Sequence, residues 1–522
     1  MKNRLWVSIV LLVLMVGTAT AQDARSLLQA ASTAMGAASL KSIQYSGTGM
    51  QAVVGQSYAA GGDWPRFEVP SYTRTIDYDS RSSKEELTRR QGNYPPRGGG
   101  GSPIQGEQRI TNMVRGNYAW NLNPQNMPNP QPAAGDVRQF EIWLTPHGFI
   151  KAAMAPGANP ALSERYLALR RRTVKVIGFT ALGKYRVTGE FNDQNLLDRV
   201  VTWIPNPVMG DMQVEIRYIG YKDVGGGVKF PGQIHAHQGD HPLLPVSTGR
   251  NWLDLRVTDV KTNVTDAALA VPDNVQQARV PPVRVESQKL AEGVWFLAGG
   301  SHNSLAMEFR DFITVVEGPL NDERSNAVIA EVKKLIPNKP IRYLVNTHHH
   351  FDHLGGVRTY VAEGAAVVTH YRNRELYERV IFLPQVRTLG PDRLSLFQPA
   401  TTDPVPVLLE TMTERYSISD GERVMMVYQV LGLDHNENML MAYLPKEKII
   451  VNADLYSPPN PGQAPAPPSQ GAIAFYNNVK RLNLDVAQIA PIHGRVGTME
   501  EFESIVGPTA VRQLTDDFFS RP

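Results

Sequence analysis

At 522 residues the chain is too long for one ordinary hydrophobic core and fits two or three domains. Hydrophobic residues at 42% and charged residues at 20% exclude a mostly disordered chain, and a net charge of +3 supplies no strong field for nucleic acid or an anionic membrane surface. With no cysteine, the chain cannot be a disulfide scaffold or a lipoprotein acylated on Cys, and any metal must be held by nitrogen and oxygen.

Lys2 and Arg4 precede an apolar run from Leu5 to Val16, and Ala19-Thr20-Ala21 offers small residues at a cleavable site. That is the layout of a secretory signal peptide over residues 1–21, with a periplasmic or secreted mature protein as its consequence. A retained N-terminal anchor is the other reading. No later stretch is long and apolar enough for a stable membrane span.

Residues 22–280 read as a mainly antiparallel β-domain. Met212, Val214, Ile216 and Tyr218 alternate with Gln213, Glu215 and Arg217, the period of a half-buried strand. Lys175 to Phe179, Lys184 to Phe191 and Leu196 to Ile204 follow suit, and Val224 to Val228 reads as a hairpin reversal. The one helix expected here covers Ala161 to Arg172, with Arg170-Arg171-Arg172 as its solvated end. Tyr94 to Pro103, with four consecutive glycines, and Asn121 to Gly135, rich in Asn, Pro and Gln, are expected to be mobile loops. So large a sheet with few helices suggests a curved antiparallel half-barrel.

The pair Pro281-Pro282 interrupts both helix and central strand, which sets a linker at residues 281–286. Residues 287–522 then switch to alternating strand and helix, an α/β pattern. Gly293 to Leu297, Leu305 to Phe309, Phe312 to Val316 and Ile341 to Val345 read as strands. Asn321-Asp322 caps a helix whose Val328, Val332, Leu335 and Ile336 share one face.

Immediately after the strand ending at Val345 comes Thr347-His348-His349-His350-Phe351-Asp352-His353-Leu354-Gly355-Gly356. In an extended segment His348 and His350 point the same way, and Asp352 continues that parity. His353 faces elsewhere unless the chain turns, which Gly355-Gly356 permits. Unmetallated, such a cluster at the end of a buried strand would be costly, so the residues are read as ligands for two adjacent metals. His349 points away and is assigned to support or packing. His302 and His370 either line the cleft or are ordinary hydrogen-bonded histidines. His235, His237 and His241 are read as exposed strand and loop residues rather than a second metal site.

This string matches the H-x-H-x-D-H motif and so resembles the metallo-β-lactamase superfamily over roughly residues 285 to 515. His435 in Gly432-Leu433-Asp434-His435, Asp454 after Ile449-Ile450-Val451-Asn452-Ala453, and His493 in Pro491-Ile492-His493-Gly494 have the order and approximate spacing of that family's remaining ligands. The resemblance implies an αββα metallo-β-lactamase sandwich behind the β N-terminal domain. It also implies two zinc ions per chain: His348, His350 and His435 on the first, Asp352, His353 and His493 on the second, and Asp454 bridging. Iron or manganese are the alternative metals. Two such cations bring a shared water near neutrality as a hydroxide nucleophile, with Asp352 as the catalytic carboxylate that orients it and takes its proton.

The family's first-motif aspartate is replaced by Glu317, expected to brace the ligand loop. The proline-rich insertion Ser457 to Ser469 is either cleft rim or linker. Tyr218 to Ile234, with Gly227-Val228-Lys229-Phe230-Pro231, resembles a hairpin of periplasmic lipoprotein-carrier folds. The expected activity is hydrolysis of an ester, lactone, thioester or amide-type bond in a small-molecule substrate. The alternatives are a cysteine-free β-lactamase, and an apolar-ligand carrier with an auxiliary metal domain. Oligomeric state is left open.

Overall fold

The computed structural model describes residues 21–167, 171–240, 250–382, 386–397 and 408–519. Residues 1–20, which hold nearly all of the expected signal peptide, Arg170 and His241 lie outside these. Among the described residues three sheets form. The largest has thirteen strands, antiparallel throughout. From one edge it runs Pro128–Pro130, Tyr118–Leu122, Glu107–Arg115, Ser82–Arg90, Arg66–Asp77 and Ser42–Ala52. It continues through Arg250–Thr262, Lys229–Asp240, Gly210–Asp223, Leu197–Asn206, Tyr185–Phe191, Arg172–Ala181 and Ala161–Leu167. Residue Val224 donates to Val228 across the expected reversal.

Three helices cover one face of this sheet, Ala21–Met35, Gly135–Leu144 and Pro146–Met154. Their Leu27, Leu28, Phe140, Ile142, Phe149 and Ile150 share a core with strand residues such as Tyr45, Val69 and Phe230. None of the three follows from the period-two pattern of the flanking chain, and two lie close to or within a segment read as loop or strand. The helix expected over Ala161 to Arg172 is instead an edge strand, paired from Ala161 with Gly178 to Leu167 with Arg172. Local helical preference lost to the hydrogen-bonding edge of the neighbouring strand, and mostly exposed side chains gave it no apolar stripe to bury. The segment from Asn121 to Gly135 is not a free loop either: it contains the edge strand Pro128–Pro130 and a 3₁₀ turn at Pro132–Ala134. Both edges are blunted, one by prolines that lack an N–H and the other by Glu164 and Arg165.

Residues 278–285 form no regular structure, and the next strand begins at Glu286. A seven-stranded sheet follows in the order Glu286–Ala291, Val294–Ala298, Ser304–Glu308, Ile313–Val316, Ile341–Val345, Ala366–His370 and Leu409–Met412. A six-stranded sheet runs Arg415–Ser419, Val424–Gln429, Leu440–Leu444, Ile449–Asn452, Gln488–Pro491 and Gly497–Thr498. One core joins them, with Phe296, Met307 and Val345 from the first meeting Met425, Met441 and Ile450 from the second. The helix Asp322–Leu335 packs Val328 and Val332 against the outer face of the seven-stranded sheet. As expected, Asn321 caps it: its side chain accepts from the Arg324 N–H at 2.9 Å.

In the parallel pairs Ile313–Val316 with Ile341–Val345, and Ile449–Asn452 with Gln488–Pro491, the first strand of each is buried along its whole length. Their C-terminal ends deliver Glu317, the 348–353 string, Asp454 and His493 to one place, the position where α/β sheets present functional groups. Among the described residues no helix is long and apolar enough to cross a membrane.

Candidate metal centre

His348, His350 and His353 are fully buried where the strand Ile341–Val345 gives way to the turn Phe351–Leu354. The loop before Leu440–Leu444 brings His435 to them, and the segment after Ile449–Asn452 brings Asp454. One ligand atom from each of His348, His350, His435 and Asp454 lies within 4.8 Å of the others. Among the described residues the buried His350 Nδ1 has no hydrogen-bond partner, and the buried His348 Nε2 and His435 Nε2 face only the Asp454 carboxylate. An uncompensated buried nitrogen is costly, and three converging ones amount to a cradle of lone pairs for a cation.

Asp454 joins this group to a second one. Its Oδ2 lies 3.3 Å from His348 Nε2 and 2.9 Å from His435 Nε2. Its Oδ1 lies 3.2 Å from His353 Nε2 and 2.6 Å from His493 Nε2. The two oxygens thus face opposite ways, one toward each cluster. The residue stands at φ +58°, the left-handed region that side chains other than Gly rarely adopt, so strain is accepted to aim this carboxylate. Asp352 Oδ2 lies 3.8 Å from His353 Nε2, beside a second cluster formed by His302, His353 and His493.

The outward nitrogen of most of these rings is held. His348 Nδ1 is 3.1 Å from Thr347 Oγ1, His353 Nδ1 is 3.1 Å from Glu317 Oε2, and His493 Nδ1 is 3.0 Å from the Ser301 carbonyl. Such partners fix tautomer and ring orientation in metal sites. Glu317 is therefore the brace expected of it, further tied by the Asn346 amide at 2.6 Å. His349 is buried and its Nε2 lies 3.0 Å from the Ser57 carbonyl, away from both clusters.

Electrostatics agree with a site built for cations. Burial, aided by nearby imidazoles, pushes His348 down to about 3 and His350 well below its ordinary value, so both are neutral and offer lone pairs. Burial also opposes ionisation of Asp454, but the charge of His353 and hydrogen bonds from the surrounding imidazoles outweigh it and hold the carboxyl well below its usual range. His353 is raised despite burial, because Asp454 and Glu317 flank it. A cation would take the place of that proton.

Three contributions left no mark in the sequence pattern, and all come from the N-terminal region. Gln56 donates through Nε2 to Asp352 Oδ1 at 2.8 Å. The Ser57 carbonyl accepts from His350 Nε2 at 3.0 Å, which leaves Nδ1 of that ring facing the cluster. Gly99, in the glycine run expected to be mobile, lies so near that a Cβ there would sit 2.8 Å from the His350 ring. Its N–H also donates to the Gln56 carbonyl at 2.9 Å, so this part of the run is anchored. Consecutive glycines signal close backbone approach as readily as mobility.

His302 is buried within the second cluster, whereas His370 lies at the end of its strand outside both. His235 Nε2 lies 2.8 Å from His237 Nε2 and His235 Nδ1 3.2 Å from Asp254, and among the described residues these side chains form no cluster of three converging ligand atoms.

Residues 301–427 match the family model described as the metallo-beta-lactamase superfamily. Among solved structures the chain is similar to a metallo-beta-lactamase from Pontibacter korlensis at 19% identity, covering 44% of this chain and 98% of that one with a TM-score of 0.31. It is likewise similar to FIM-1 from Pseudomonas aeruginosa in the mono-zinc form, at 21% identity, 44% and 99% coverage and a TM-score of 0.32. A metallo beta lactamase from Hirschia baltica gives 21% identity, 43% and 97% coverage and a TM-score of 0.32. No curated protein matches the chain. The match to the metallo-β-lactamase superfamily model thus lies in the C-terminal region of this chain, over the segment that holds the 348–353 string.

Proposed function

We propose that this is an exported hydrolase holding two divalent cations, zinc by the nitrogen-rich donor set, and cleaving an ester, lactone, thioester or amide-type bond in a small molecule. The two C-terminal sheets with their flanking helices are read as the αββα sandwich that carries the site. The observation that carries the proposal is the convergence of three buried imidazole nitrogens on the Asp454 carboxylate, one of them with no hydrogen-bond partner and two with none but that carboxylate. His348, His350 and His435 would hold one cation, Asp352, His353 and His493 the other, and Asp454 would face both. Cations so held lower the pKa of a shared water and polarise the scissile oxygen.

The protein's own groups do the rest. Asp454 has a side-chain exposure of 13% and Asp352 of 37%, so Asp352 is the carboxylate that a substrate and its attacking water reach. Gln56 pins its Oδ1 and so fixes the carboxylate that would orient that water and take its proton. Glu317 keeps the His353 ring from rotating away.

The test is metal analysis of the purified full chain with a screen of esters, lactones, thioesters, amides and nitrocefin. Two equivalents of metal and turnover that vanishes in His348→Ala are expected. Nitrocefin as the preferred substrate would make the protein a β-lactamase. Metal-free protein that copurifies with lipid and turns over nothing would move the function to the carrier reading. That reading has its own support in a cavity of about 200 Å³ in the N-terminal region, lined by Val214, Ile216, Ile234 and Leu255 but also by Arg74 and Glu85.

A further inference from the structure

We infer that His302 supplies a third imidazole to the second cation, which makes the two positions unequal; the inference rests on the two-metal reading above. His302 stands in the turn between the strands Val294–Ala298 and Ser304–Glu308, outside the H-x-H-x-D-H string. Its ring is buried, with centroids 4.1 Å from His493 and 5.0 Å from His353. One nitrogen each from His302, His353 and His493 lies within 4.8 Å of the others, the same closeness that defines the first cluster.

The ring is also oriented as the ligands are. Its Nδ1 is 2.9 Å from Ser301 Oγ, just as His493 Nδ1 is held by the carbonyl of that same residue. Ser301 therefore steers two imidazoles at once. The inner Nε2 is left pointing at Asp352 Oδ2 across 3.4 Å. That separation is long for a hydrogen bond and suits two donors that share a cation between them. The first position then has three nitrogens and one carboxylate oxygen. The second has three nitrogens, from His302, His353 and His493, and two carboxylate oxygens, from Asp352 and Asp454. A five-donor set exceeds the four ligands of a structural zinc site, and it favours at the second position a cation of higher coordination number than at the first.

The test is cobalt(II) titration of the metal-free full chain and of His302→Ala and His493→Ala, read by absorbance and by the hyperfine-shifted imidazole N–H resonances, one for each ligated ring. Wild type should bind two equivalents. His302→Ala should bind the first equivalent unchanged, which doubles as the check on folding, and the second at least about tenfold more weakly, with one shifted resonance fewer. His493→Ala should behave alike. If His302→Ala keeps both affinities and every shifted resonance, His302 only steadies Asp352 and this inference falls alone. If wild type binds a single equivalent, the two-metal reading falls first and takes the inference with it.

Discussion

His147 and His348 are both completely enclosed histidines, one under the thirteen-stranded sheet and one at the mouth of the two C-terminal sheets. Each has one nitrogen bonded, to the Met35 carbonyl or to Thr347, while the other has no partner in His147 and faces only the Asp454 carboxylate in His348. Burial depresses both, to about 4 and about 3. By burial and titration alone they are the same kind of residue. What separates them is company: the free nitrogen of His147 is alone beside the Phe230 ring, whereas that of His348 meets those of His350 and His435 around a carboxylate. A single unsatisfied atom is a packing cost, and several aimed at one point are a binding site.

Three measurements would break or sharpen that contrast. The largest effect is expected at His147. Its folded pKa of about 4 lies below the unfolded 6.5, so the unfolded chain takes up the proton first as pH falls. Stability from this group is intact above pH 6.5 and is lost on acidification toward pH 4, by about 3 kcal/mol. Denaturant unfolding of wild type and His147→Gln across that window should show a slope shallower in the variant by about one proton. An equal slope in both would mean that His147 is not the buried neutral ring described.

Next is Glu317→Gln. Losing the charge behind His353 should weaken metal binding about 10- to 100-fold with little effect on the fold, measured by competition with a chelator. Loss of folded protein without a change in affinity would make Glu317 a structural core residue. The smallest effect is expected for Gln56→Ala, about tenfold in kcat/KM once a substrate is found, with metal content preserved. An unchanged rate would mean that the N-terminal contact to Asp352 is incidental.

The ligand string was legible because its chemistry is local. Alternation at 348, 350 and 352, the strand before it and the glycines after it point to ligation, and His435, Asp454 and His493 each follow an apolar strand. Gln56 was not legible, since it meets Asp352 across 296 positions of chain and nothing around it departs from an ordinary loop. His302 fell between the two: a histidine in a turn has several uses, and only the third dimension brings it beside His493. The strand at Ala161–Leu167 was misread for a related reason, because an edge strand takes its identity from the neighbour it pairs with.

The Ser57 carbonyl that fixes the His350 ring couples occupancy of the centre to the integrity of a sheet built from other residues. Coupling of this kind is reciprocal: whatever free energy the intact N-terminal sheet lends to cation uptake, the captured cation returns to that sheet. Stripping the metal should therefore lower the melting temperature of the N-terminal region as well as the C-terminal one, and heating the former should release metal before the latter unfolds.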